Sequence, residues 1–211
     1  MFLHLSLQPE RQSKQLKNPF LSNRNLLNQS MNSVSIKFST VILLIFSAAL
    51  SRILPHPFNF TPIGAIALFG AAHFDKKYFA FLIPIMAMLV SDSIIGFHSS
   101  MAVVYGTFAF ITLIGIFFLN KVTFGRVLGL SILSSTLFFI TTNFAVWYGS
   151  TFYSQSWQGL LTCYSAGLAF YQNSFFGNLF LNTIMGDLFY CGLLFGLYEG
   201  LQRFVPKLRF A

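Results

Sequence analysis

Charge is scarce in this chain of 211 residues: Asp, Glu, Lys and Arg together make up 9% of it, and only five residues are acidic. A soluble domain carries about a quarter charged residues, so this composition has too little polar material to clothe a water-facing globule. Cysteine is almost absent. The two that occur, Cys163 and Cys191, are far apart in the chain, which argues against CxxC redox chemistry and a disulfide framework. There is no GxSxG elbow, no HExxH pair and no Walker loop, so nothing supports a hydrolase or an ATPase, and no enzyme is expected. Of four His, His4 falls in the N-terminal tail and His73 in a basic cluster; only His56 and His98 share a side, and no metal or cofactor is expected.

What the chain has in quantity is apolar bulk. Hydrophobic residues make up 55% of it, 28 residues are Phe, and the mean hydropathy is +0.68. The apolar stretches run over Ile36–Leu54, Pro62–Phe74, Tyr78–Phe97, Met101–Leu119, Arg126–Tyr148 and Ser174–Leu201. Crossing about 30 Å of hydrocarbon takes roughly 20 apolar residues, which most of these supply. Pro62–Phe74 is short and small-surfaced, with Gly64, Ala65, Ala67, Gly70, Ala71 and Ala72, so it must be buried among the others. Gly192, Gly196 and Gly200 recur along one side of the last stretch, and internal helix packing is the expected use for them.

Except for Arg52, every Lys and Arg lies in the N-terminal segment, in His73–Lys77, in Asn120–Arg126 or after Leu201. Basic residues stay in cytoplasmic loops. The expectation is therefore an all-α integral membrane protein with six transmembrane helices, the second one short, and both termini cytoplasmic. The outer connections Pro55–Thr61, His98–Ser100 and Gly149–Asn173 hold no Lys or Arg. A net charge of +8 beside the spans points to anionic membrane lipid as a partner and not to nucleic acid. Residues 1–32 read as a disordered tail or a misread start ahead of Met31, residues 33–205 as the membrane domain, and 206–211 as a cytoplasmic tail.

Polar groups inside a membrane are costly and mark function or pairing. Arg52, Asp92, Asn143, Asn178 and Asn182 fall at one level near the outer ends of their spans, with His56, Asn59 and His98 in the loops above. This layer is the candidate ligand site. The competing reading makes it interhelical glue, with Arg52 and Asp92 as an ion pair. Asp187 stands apart, near mid-span. Trp147, Tyr148, Tyr153 and Trp157 suit an interfacial aromatic belt. In the long outer loop, Trp157, Leu160, Leu161, Tyr164 and Leu168 fall at helical spacing, so a short helix is expected there, as a lid or as a plain connector.

The segment RILPHPFNFTPIGAIALFGAAHF, residues 52–74, resembles a bacterial family of uncharacterised six-span proteins described as transport proteins. A second pattern, Pro84, Ala87, Met88, Leu89, Ser91, Asp92, Gly96 and His98 followed by Val104 and Tyr105, fits the same family, and the likeness covers about Ile36–Phe204. That family is similar to the substrate-binding S components of energy-coupling factor (ECF) transporters, above all the solitary cobalamin-type ones. The resemblance implies an S-component-like bundle in a bacterial inner membrane, with Tyr105 joining the ligand residues and a pocket capped by outer loops. It also implies a partner, an ECF-type transmembrane and ATPase module, docked through small residues; Ala67 and Ala71 have that spacing here, in the second span and not the first. Cobalamin-type relatives use a Cys where this chain has His98, so cobalamin is one candidate among vitamins and other small nutrients. The expected function is a substrate-binding subunit for nutrient uptake. The alternative is a non-transport membrane scaffold or assembly protein whose polar layer is structural.

The topology has a direct test. Single Cys probes at Ser99 and Ser156 should be labelled in intact cells by a membrane-impermeant reagent, and probes at Lys77, Lys121 and Lys207 should not. External labelling at Lys77 would overturn the six-span arrangement.

Overall fold

The computed structural model describes residues 19–97, 99–168, 178–205 and 208, and for residues 19–30 and 32–34 the backbone alone. Every regular element among them is helical: α1 (Pro19–Leu50) with a 3-10 turn at Ser51–Ile53, α2 (Ile63–His73), α3 (Lys77–Ile95), α4 (Met101–Phe118), α5 (Phe124–Gly149), α6 (Trp157–Leu168) and α7 (Leu179–Phe204). Five are long and apolar enough to cross a membrane, over Ser35–Ile53, Lys77–Ile95, Met101–Phe118, Phe124–Gly149 and Leu179–Phe204. These five and α2 coincide closely with the six apolar stretches of the sequence. Helix α6 is the one expected in the long loop. Helix α1 begins at Pro19, ahead of the boundary near residue 33 drawn from composition; proline suits a first helical position.

The stops have local causes. Gly96, with φ of 111°, ends α3 in a backbone region open to glycine. The Asn178 side chain caps α7 by accepting from the Leu181 N–H at 2.9 Å. The burial pattern is inverted relative to a water-soluble protein. Leu43, Ile94 and Phe117 stand 60% or more exposed, while Ser91, Thr112, Ser131, Ser135 and Asn182 are sealed inside.

Helix α2 is the centre of the bundle. It touches all five long helices, and Ile63 through Ala71 are all buried. Its smallness permits this: a Cβ on Gly115 of α4 would lie 2.7 Å from the Ala71 Cβ. Ala67 and Ala71 are therefore enclosed, at 0% and 2% exposure. They pack the interior in this structure and offer no docking surface, which corrects the expectation drawn for them. The glycines of α7 reverse the other way. Gly192 and Gly196 are exposed and Gly200 partly so, and a Cβ on any of the three would meet nothing within 4 Å, so they do not serve internal packing.

Both ends of α2 finish inside or against other helices, so their backbone groups need partners. At the N-terminus the Asp187 carboxylate of α7 accepts from the Ala65 N–H at 3.2 Å. At the C-terminus the Lys77 ammonium donates to the Ala71 and Phe74 carbonyls, both at 3.2 Å. The basic end of the bundle gathers there. Lys37 of α1 pairs with Asp75 at 3.0 Å, and Lys37, His73, Val122 and Tyr198 line one shared cleft.

Gly64 tests the clamp. A Cβ there would sit 2.5 Å from both Asp187 carboxylate oxygens. Gly64→Ala should therefore lower thermal stability by about 1–3 kcal/mol, the usual cost of overpacking. Gly129→Ala, where a Cβ meets nothing within 4 Å, should leave it unchanged or slightly raised. Equal stability of the two variants would remove the clamp.

Candidate functional site

Three features at or below the end opposite the basic cluster are candidates, and the helices position each. The first is the ionic node between α1, α3 and α4. The 3-10 turn after α1 swings Arg52 inward, so its Nη1 lies 2.7 Å from Asp92 Oδ1. That contact is ionic but out of line for a hydrogen bond, since Oδ1 has no hydrogen-bond partner. Nη1 also donates to Ser91 Oγ at 2.7 Å, and Tyr105 Oη donates to Asp92 Oδ2 at 2.7 Å. The side chains are 10% and 2% exposed for Arg52 and Asp92. Such a node stabilises while whole, because each ion removes the other's desolvation penalty.

The second feature is the Asp187 node, deeper in the bundle. Ser135 Oγ of α5 donates to Asp187 Oδ2 at 2.7 Å, and Ser134 Oγ lies 3.3 Å from the same oxygen. Together with Ala65 they let α5, α7 and α2 meet on one carboxylate. The Ser131–Ser134–Ser135 spacing on a single face of α5 is the sequence signal for this node, and the polar layer drawn from the sequence did not include it.

The third feature is an open cavity of about 960 Å3 between α4, α5 and the chain leading through residues 149–152 to α6, with Tyr148 and Phe152 exposed at its rim. Ser99, Thr107, Thr141, Phe144, Tyr148 and Tyr164 are among its lining, which carries no ionisable acid or base apart from tyrosine. Thr107 and Thr141 hydroxyls meet at 2.8 Å across α4 and α5. Trp147 and the loop hold each other: Trp147 Nε1 donates to Ser154 O at 2.9 Å and Gln155 Nε2 to Trp147 O at 2.8 Å.

A model of the family of unknown function DUF6580 matches residues 32–208. The chain belongs to that family. No curated protein and no solved structure matches it. The family's span takes in both nodes, the cavity and all of α2 through α7.

Of the sequence candidates among the described residues, this DUF6580 chain brings Arg52, Asp92 and Tyr105 into one cluster. Asn182, fully buried, donates to Phe58 O at 2.9 Å and so pins the loop before α2 to α7. Asn143 Nδ2 bonds its own helix at Phe139 O, 2.8 Å. Asn178 Nδ2 bonds Leu168 O of α6 at 2.6 Å. Asn59 takes φ of 63°, a turn position that Asn tolerates, and His56 Nδ1 stays within 2.6 Å of Leu54 O in the same exposed loop. None of these lines the cavity. His98 lies outside the described residues. Among the described residues no group of three or more His, Cys, Asp or Glu could hold a metal, and burial pushes the Cys163 thiol up, away from nucleophilic use.

The ionic node makes a double-mutant test. Arg52→Ala and Asp92→Ala should each cost roughly 3–5 kcal/mol by stranding a buried charge, and the double variant should regain much of that loss. Tyr105→Phe, which removes one hydrogen bond to a charged group, should cost about 1.5–3 kcal/mol. Thermal unfolding of the purified variants reads all four; additive losses in the double variant would show that the pair is uncoupled.

Proposed function

We propose that the protein is a substrate-binding membrane transport subunit that captures a small, uncharged nutrient from outside in the cavity between α4, α5 and α6. The cavity carries this reading. Its volume of about 960 Å3 falls within the usual range for small-molecule sites, about 300–1,000 Å3. Its lining of hydroxyls and aromatic rings, without acids or bases, favours a molecule with no net charge. The protons of several hydroxyls are already spent: Tyr164 donates to Ile140 O at 2.8 Å, and the Thr107–Thr141 pair divides its two protons between their mutual contact at 2.8 Å and the backbone carbonyls of Val103 and Leu137. What they turn toward a ligand is mainly oxygen lone pairs, which suits N–H and O–H donors.

In this reading the five long helices and α2 form six membrane segments, α2 spanning part of the thickness. Both termini face the cytoplasm of a bacterial inner membrane; the gathering of cations at one end supports that orientation. The class of function rests on the sequence resemblance of residues 52–74 and 84–105, and in it α6 and residues 149–156 would be the outer cap. An ECF-type transmembrane and ATPase module would then supply the energy, through a surface other than Ala67 and Ala71. The nutrient is vitamin-like, cobalamin being one candidate. The layer of Arg52, His56, Asn59, Asp92, Asn143, Asn178 and Asn182 frames the site from outside it.

One observation favours the second reading, a membrane scaffold or assembly protein: Arg52, Asp92, Tyr105, Asn143, Asn178 and Asn182 all make bonds within the chain. Native mass spectrometry of gently purified protein separates the two. Gly106 lines the cavity, and a Cβ there meets nothing within 4 Å, so Gly106→Phe should fill the cavity without harming the fold. The parent should carry a bound small molecule that Gly106→Phe, with equal thermal stability, has lost. A parent that is empty as isolated and is not stabilised by any of a panel of vitamins would favour the scaffold.

A further inference from the structure

At the basic end, a groove of about 480 Å3 opens between the start of the apolar part of α1, the end of α2 and the first turn of α3. Its floor is three phenylalanine rings from three different helices or their ends. Phe38 lies 5.6 Å from Phe74 and 4.8 Å from Phe79, and Phe74 lies 6.2 Å from Phe79, centroid to centroid. Phe74 is buried and the other two partly so, so the cluster is a wall of the groove as well as a packing unit. The mouth is lined by Lys37, His73, Asp75 and Lys76. Lys37 and Asp75 form an ion pair at 3.0 Å and largely cancel. Lys76 is exposed, and the structure gives its ammonium no carboxylate among the described residues. The groove thus joins a hydrocarbon-like floor to a single uncompensated cation, at the level where the apolar helices begin.

We propose that this groove binds one anionic phospholipid, its acyl chain lying along Phe38, Phe74 and Phe79 and its phosphate meeting Lys76. Three observations select that occupant. Charge comes first: two Lys against one Asp leave the mouth net positive, which a zwitterionic headgroup answers less well than an anionic one. The apolar floor comes second, since a free phosphate or a soluble anion has no use for three rings. Position comes third. Tyr78, whose ring lies 4.2 Å from Phe79, and Leu82 one turn on are 57% and 48% exposed, so an apolar face of α3 suited to hydrocarbon lies beside the groove. The site rests on the membrane reading and is independent of transport.

The groove also borders the clamp on α2. Lys77, next in the chain to Lys76, holds the Ala71 and Phe74 carbonyls, and Phe74 is itself part of the groove floor. A lipid seated here therefore presses on the residue whose carbonyl Lys77 holds, and its binding should be visible as stability of the whole bundle, because a ligand that binds only the folded state shifts unfolding by mass action.

The test uses the full-length protein in phosphatidylcholine nanodiscs, titrated with phosphatidylglycerol and followed by thermal unfolding and by native mass spectrometry of retained lipid. Phosphatidylglycerol should raise Tm and be retained as one molecule, whereas added phosphatidylcholine and soluble glycerol phosphate should do neither. Lys76→Gln should keep the parent Tm in pure phosphatidylcholine yet need about fivefold more phosphatidylglycerol, the effect of one basic residue at an anionic surface. Lys121→Gln, an equal charge change in another loop at the same end, should behave as the parent. Equal stabilisation by phosphatidylcholine, stabilisation by glycerol phosphate, or equal weakening in both variants would each overturn the site.

Discussion

An eleven-residue helix buried on every side cannot exist in an apolar bundle unless both of its ends are answered. Helix α2 is about 16 Å long at 1.5 Å per residue, roughly half the hydrocarbon thickness of about 30 Å. One end therefore stops within the bundle, where neither water nor lipid headgroups can serve it. The fold answers with opposite charges at opposite ends: the Asp187 carboxylate at the N–H groups and the Lys77 ammonium at the carbonyls. Each sign matches the helix dipole. Because Asp187 comes from α7, Lys77 from α3, and Ser134 and Ser135 from α5, holding α2 also fixes how those three helices meet. The loop before α2 follows suit, since Asn182 of α7 takes Phe58 O and Phe60 packs on Phe189 and Tyr190.

Helix positions were legible in the sequence because hydropathy and charge record them. Lys and Arg interrupt the apolar stretches at the basic end, and Gly, Pro and Asn do so at the other, at Pro55, Gly96 and Asn178. The burial of α2 was legible for the same kind of reason: a stretch too short to span and surfaced by Gly and Ala has only the interior to occupy. Helix α6 showed through its spacing of Trp157, Leu160, Tyr164 and Leu168. Facing was the harder matter. Small residues at four-residue spacing permit close approach but do not say who approaches, so Ala67 and Ala71 turned inward and Gly192 and Gly196 outward.

The polar layer shows a similar division between depth and direction. Sequence position places Arg52, Asp92, Asn143 and Asn182 at comparable depths in their helices, and depth is what their spacing from the helix ends records. Direction depends on the rotation of each helix about its axis, set by packing against neighbours. Arg52 and Asp92 meet because the 3-10 turn at Ser51–Ile53 carries the chain inward. Asn143 instead faces α6, where a Cβ on Gly167 would lie 2.7 Å from its Oδ1. Thr107 and Thr141 were hidden in the sequence because a threonine inside an apolar helix ordinarily bonds its own backbone. Each has a backbone carbonyl of its own helix within reach here, and their contact with each other across α4 and α5 depends on a packing that no spacing reveals.

In the proposed reading, stability and recognition occupy different chemistry in this bundle. The charged groups away from the basic end, Arg52, Asp92 and Asp187, are spent on joining helices, each in a cluster that another helix completes. An ion left facing a cavity would have to be hydrated or paired at a cost of several kcal/mol, and consuming these ions in structural nodes leaves the cavity lined by hydroxyls and rings. Such a lining holds water weakly at its aromatic surfaces, Phe144, Tyr148 and Tyr164, and releases it readily to an incoming apolar face. The oxygens of Thr107, Thr141 and Tyr164, whose protons are held within the bundle, would orient the polar edge of whatever enters. A neutral molecule would gain from both effects, whereas an anion would meet no cation. The same ion pair that reads as the obvious ligand site therefore acts by being absent from the cavity: Arg52 satisfies Asp92, and the space between α4 and α5 is left without charge.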